Sequence, residues 1–110
     1  MIYLDSAATT KYKPDKTYEA FSHYVREVGV SPGRGSYSLG IEASRMLYQS
    51  RKTMGTYFGL MEPTNVVFTK NSTEAINLFF NGFLSKGDHV LITCYEHNAV
   101  LRPLHTLMRN

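Results

Sequence analysis

Residues 66–80 read VVFTKNSTEAINLFF. Val66, Val67 and Phe68 have the β-branched and aromatic composition of a buried strand. Five polar residues follow, and then Glu74, Ala75, Ile76, Leu78, Phe79, Phe80, Phe83 and Leu84 begin a helical pattern with one broad apolar face. A strand handing over to a helix through small polar residues aims the helix's free N–H groups, and the positive end of its dipole, at one point. Such a point suits phosphate. The hydroxyls of Ser72 and Thr73 add donors there. The same residues also fit a plain cap, because Asn71 followed three positions later by Glu74 resembles a capping box that satisfies those N–H groups internally. On this stretch alone the cap is the simpler reading, since neither the GxxxxGK pattern nor GxGxxG occurs.

Upstream, residues 42–58 read as a long helix with Ala43, Leu47, Ser50, Met54, Tyr57 and Phe58 inward and Arg45, Gln49, Arg51 and Lys52 outward. Gly59 is placed to end it, and Glu62, Pro63, Thr64 and Asn65 form a turn before the strand. Residues 29–40, GVSPGRGSYSLG, are a glycine-rich loop in which Arg34 is exposed between two glycines. An arginine so placed is able to reach an anion, although it is more often simply solvated. Before the loop, Pro14 and Asp15 start a helix whose apolar face carries Tyr18, Phe21, Tyr24, Val25 and Val28, and which stops at Gly29.

Downstream, Lys86, Gly87 and Asp88 stop the organising helix. Val90, Leu91 and Ile92 read as a second buried strand, and Pro103 sits where a last helix is expected to begin. Strand, helix, strand, helix is a βαβ pattern, whose parallel sheet must be covered on both faces. Two or three strands do not complete such a sheet. The expectation is therefore an α/β fold, mainly a parallel sheet flanked by helices and incomplete in this chain, which reads as the N-terminal part of a larger protein.

The 110 residues amount to one domain or a piece of one, with the 43% hydrophobic and 19% charged content of a globular protein. The formal charge of +3 is mild and scattered, which argues against a nucleic-acid partner. Cys94 is the single cysteine, so no internal disulfide forms, in keeping with a reducing cytoplasm. No metal-ligand cluster is evident. Met1, Ile2, Tyr3 and Leu4 lack the charged start of a signal peptide, and no apolar run approaches the roughly 20 residues of a membrane span. After Leu4, the small residues Asp5, Ser6, Ala7, Ala8, Thr9 and Thr10 make a turn that lets backbone approach a ligand or a neighbour closely.

Five segments, YLDSAATT at 3–10, SPGRGSYSLGIEASR at 31–45, VVFTKNSTEAINL at 66–78, KGDHVLIT at 86–93 and EHNAVLRPL at 96–104, together resemble the class V aminotransferase and cysteine desulfurase family of pyridoxal 5′-phosphate (PLP) enzymes of fold type I. The likeness spans essentially the whole chain, in order and in spacing. It implies that residues 1–14 line the active site or belong to a small domain, and that 15–110 begin the PLP-binding large domain. It implies further that Ser72 and Thr73 hold the cofactor phosphate on the helix N-terminus, and that His97 stacks on the pyridine ring as a catalytic and cofactor-binding residue. Ala8, Thr9 and Arg34 would lie on the substrate side, the last in a loop near the active-site mouth and often at a dimer contact.

One departure is Ser6, where the family carries an asparagine, so an amide is lost. The family's cofactor-anchoring lysine, its aspartate facing the pyridine nitrogen, its substrate-carboxylate arginine and the persulfide-forming cysteine of true desulfurases all fall beyond residue 110. Lys70, Lys86 and Cys94 do not match those positions. The resemblance thus implies a cytoplasmic homodimer that takes sulfur from L-cysteine and passes it to an acceptor protein, while these 110 residues alone are inactive. Another class V aminotransferase, a selenocysteine lyase, and a non-catalytic phosphate-binding α/β module are the alternatives.

Overall fold

The computed structural model describes residues 2–109. The chain forms two compact units, Met1–Val66 and Val67–Asn110.

In the first unit, α1 (Asp15–His23) follows Pro14, whose fixed φ and missing N–H suit the start of a helix. It runs on into a π-helical turn, Tyr24–Val28, that closes with the Gly29 N–H on Tyr24 O at 2.7 Å. The Tyr24 hydroxyl donates to Val30 O at 2.6 Å and holds the chain just past that turn. The turn packs on α2 (Ser38–Tyr57), and the buried residues of the two are Val28, Gly40, Ala43 and Gly55.

Helix α2 starts at Ser38, four residues before the position the sequence suggests. Gly40 bears on the difference: a Cβ built on it would lie 3.2 Å from both Arg34 O and Gly35 O, so its absence lets the loop backbone lie against this first turn without giving way by a few tenths of an ångström. Ser44 ties the loop down by accepting the Gly33 N–H at 3.0 Å and donating to Gly40 O at 2.8 Å.

The far end of α2 is as expected. Leu60 N–H bonds Gly55 O at 2.8 Å and Gly59 N–H bonds Thr56 O at 3.2 Å, the paired closure of a Schellman motif, with Gly59 left-handed at φ 71°. The inward stripe is only partly covered. Ala43 is buried, whereas Tyr57 and Phe58 are exposed and pack edge-on against each other at 5.0 Å. Arg51, expected outside, is half-buried, and its Nε is enclosed without a hydrogen-bond partner.

In the second unit, α3 (Ser72–Phe83) packs on α4 (Asn98–Leu107), and the buried residues are Pro103 and Leu104. Pro103 lies inside α4 rather than at its start, because His97 caps the helix six residues before it.

The expected α/β fold, a mainly parallel sheet at the start of a PLP-dependent transferase large domain, is corrected by the structure: among the described residues there is no strand and no sheet. Residues 67–69 and 89–93 carry no helix or strand, and no backbone ladder joins either run to a neighbour. A strand is a pairing, and β-branched composition supplies a propensity but not a partner. Their side chains are accordingly uncovered, Leu91 completely so, with Val67 64% and Phe68 48% exposed.

Candidate functional site

Helix α3 begins with a working cap. Asn71 Oδ1 accepts the Glu74 N–H at 2.9 Å, and Glu74 Oε2 reaches back to the Lys70 N–H at 2.9 Å. This is the reciprocal logic of a capping box shifted by one residue, since the carboxylate takes the N–H before the cap residue rather than the cap's own. The Lys70–Glu74 ion pair at 3.7 Å is exposed and adds little. The cap consumes one N–H of the first turn. The N–H groups and hydroxyls of Ser72 and Thr73 make no hydrogen bond among the described residues.

Helix α4 begins differently. His97 Nδ1 accepts the Ala99 N–H at 3.0 Å, so the imidazole itself is the cap. In the neutral ring that bond assigns the proton to Nε2 and fixes the plane of the imidazole.

Between α3 and α4 lies a cleft of about 410 Å³. Thr73, Asn77 and Asn81 form one wall, and Asn98, Arg102 and Thr106 stand on the other with His97 at the head of α4. Each wall is a ridge of residues four apart, which stack along a helix face. Asn77 Nδ2 donates to Thr73 O at 2.8 Å and Asn81 Nδ2 to Asn77 O at 2.8 Å, which holds the first ridge in place. Thr106 Oγ1 donates to Arg102 O at 3.1 Å on the second. No acidic side chain lines the cleft, and the Arg102 guanidinium makes no hydrogen bond or ion pair among the described residues. First-turn residues of both helices thus meet one cavity whose side chains are neutral or positive, a setting for an anion.

Of the sequence-derived candidates, the structure brings Thr73 and His97 together in this cleft. Ser72 is on the same first turn but does not line it. Ala8 and Thr9 belong to the other unit, in an exposed turn where the Tyr3 hydroxyl lies 2.7 Å from Thr9 O and 3.1 Å from Asp5 O. Arg34, exposed, is in the loop before α2 of that unit. Asn77, Asn81 and Arg102 were not anticipated. The signal for them is the polar i, i+4 spacing that interrupts an apolar helix at 73, 77 and 81 and recurs at 98, 102 and 106. Among the described residues no group of His, Cys, Asp and Glu is arranged to hold a metal, and no helix is long and apolar enough to cross a membrane.

The chain belongs to the aminotransferase class-V family, whose model matches residues 2–110. It is 35% identical over 107 residues to a probable cysteine desulfurase of Vibrio cholerae, covering 94% of this chain and 26% of that protein. It is 36% identical over 103 residues to a probable cysteine desulfurase of Methanothermobacter thermautotrophicus, covering 93% and 25% respectively. Against a cysteine desulfurase of Yersinia pestis the identity is 32% over 114 residues, with 100% of this chain and 28% of the relative covered. The chain therefore spans about a quarter of the length of the curated relatives it matches. No solved structure matches it.

Proposed function

We propose that the complete protein is a pyridoxal 5′-phosphate enzyme that converts L-cysteine to L-alanine and passes the sulfur to an acceptor protein. The observation that carries this reading is the meeting of Thr73 and His97 in one acid-free cleft at the heads of two helices. The residues fit the cofactor. Ser72 and Thr73 offer unclaimed N–H and hydroxyl donors to a phosphate, and His97 offers a flat ring held in one orientation by the Ala99 N–H.

When bound, the cofactor supplies an electron sink for bond-breaking at the amino acid. This chain contributes binding and orientation. The Ser72 and Thr73 donors would hold the phosphate, and the imidazole of His97, fixed by the Ala99 N–H, would cover one face of the ring and keep water off it. Ala8, Thr9 and Arg34 are assigned to the substrate side, with residues 1–14 as active-site lining and 15–110 as the start of the cofactor-binding domain. The anchoring lysine and the sulfur-accepting cysteine are assigned to parts of the protein outside these 110 residues, so that Lys70, Lys86 and Cys94 have no such role and this stretch alone is inactive. In the net reaction the C–S bond of cysteine breaks, the carbon takes a proton to give alanine, and the sulfur leaves on an acceptor thiol as a persulfide. The names of the relatives support this chemistry, and a cytoplasmic homodimer is part of the same reading.

The complete protein, loaded with PLP and given L-cysteine and a thiol reductant, is expected to release alanine and sulfide in equal amounts. Transfer of the amino group to a keto acid without sulfide would assign it instead to the family's aminotransferases. Preference for selenocysteine would assign it to the lyases. No turnover of any amino acid would overturn the reading.

A further inference from the structure

We infer that Arg102 is a further phosphate-holding residue, supplying from the α3–α4 cleft the cationic partner that the hydroxyl and N–H donors of Ser72 and Thr73 lack. The inference rests on the proposed PLP function and adds a residue to it. Three observations carry it. Arg102 is the one charged side chain that both lines the cleft and has no partner among the described residues. No carboxylate lines the cavity to neutralise it from within. Its position on α4 also directs it suitably, because side chains on a helix lean toward the N-terminus. Arg102, exposed at the cleft, follows the cap His97 by five residues, about 7.5 Å of helix axis, within the reach of an arginine inclined toward the helix N-terminus.

A phosphate monoester dianion is poorly matched by neutral donors alone, whereas a guanidinium offers it two parallel N–H bonds. The polar ridge Thr73, Asn77 and Asn81 faces the same space, so a group held between Thr73 and Arg102 is bounded by hydrogen-bonding side chains on both walls. The carboxylate of the amino-acid substrate is the other source of such oxygens. The phosphate is favoured because Arg102 shares its cavity with Thr73, at the first turn of α3 where unclaimed N–H groups remain.

The test compares the wild-type complete protein with Arg102→Gln and Arg102→Lys, reading affinity for PLP and for pyridoxal, which lacks the phosphate, by the visible absorption of the bound ligand. Arg102→Gln is expected to weaken PLP about ten- to a hundredfold and to leave pyridoxal unchanged, as loss of a charge-assisted hydrogen bond requires. Arg102→Lys, which keeps the charge but not the fork, is expected to lie between. Arg102→Gln binding PLP as tightly as wild type, or losing both ligands equally, would overturn the inference. So would an unchanged PLP-to-pyridoxal ratio with a raised KM for L-cysteine, which would move Arg102 to the substrate carboxylate. If wild type itself binds neither ligand, the proposed function falls, and the inference with it. That outcome is distinct from wild type binding PLP while Arg102 proves indifferent.

Discussion

The imidazole of His97 is held by the Ala99 N–H on Nδ1, and the same ring lines the cleft beside Thr73. Capping and ring-covering separate under substitution, because each needs a different part of the side chain. His97→Asn replaces one capping acceptor by another, so α4 is expected to keep its stability within a few tenths of a kcal/mol while the flat ring disappears. His97→Phe does the reverse, keeping the flat face but losing a cap worth about 1 kcal/mol. Thermal unfolding of the complete protein should therefore rank asparagine above phenylalanine, and retention of PLP through gel filtration should rank phenylalanine above asparagine. The same ranking in both measurements would mean that the ring does nothing beyond capping. Residues 72, 73 and 97 were named from the sequence by their resemblance to a family pattern, and of these Thr73 and His97 line the cleft. Arg102 was not, because its relevance depends on α4 packing against α3, and no local pattern states which helices touch.

Elements were readable where the signal is local. Asn71 and Glu74 announced the start of α3, and the cap is present, with the carboxylate one residue out of the expected register. Gly59 announced the end of α2, and its left-handed backbone closes a Schellman motif. Gly59→Ala meets no atom within 4 Å, so its cost is conformational alone, about 1–2 kcal/mol for a side chain forced into the left-handed region. Chemical unfolding of the complete protein should show a loss of that size, and no loss would mean the end of α2 is free to rearrange. Asn71→Ala removes the acceptor for the Glu74 N–H and is expected to destabilise by about 1 kcal/mol. The start of α2 was misjudged because Gly40 sits in it for a tertiary reason, the approach of the loop carbonyls of Arg34 and Gly35. Pro103 misled for a related one, since a proline at a helix start is the commoner case and the cap that starts α4 is a histidine.

At the scale of the molecule, the failed expectation is the sheet. Strand partners are non-local, so Val66, Val67, Phe68 and Val90, Leu91, Ile92 could be read as strand-like but not paired from within these residues. Helix α3 makes the same point from the other side. It presents the polar ridge of Thr73, Asn77 and Asn81 to the cleft and leaves Leu78, Phe79 and Phe83 more than half exposed, the last two stacked on each other at 4.9 Å. Apolar surface of this extent is an interaction surface or an aggregation liability in isolation. The 110 residues expressed alone are expected to bind a hydrophobic dye and to melt with low cooperativity. A sharp two-state transition in a monomer without dye binding would show that these faces need no cover.

The central claim is that the head of α3 grips a phosphate rather than merely ending in a cap. In the complete protein, Thr73→Val keeps the shape of the side chain and deletes the hydroxyl, while the Asn71–Glu74 cap stays intact. Affinities for PLP and pyridoxal, measured side by side, should part company. PLP should weaken about tenfold or more, as loss of one hydrogen bond to a charged group implies, and pyridoxal should be unaffected. Equal affinities before and after substitution, or equal losses for the two ligands, would contradict the claim.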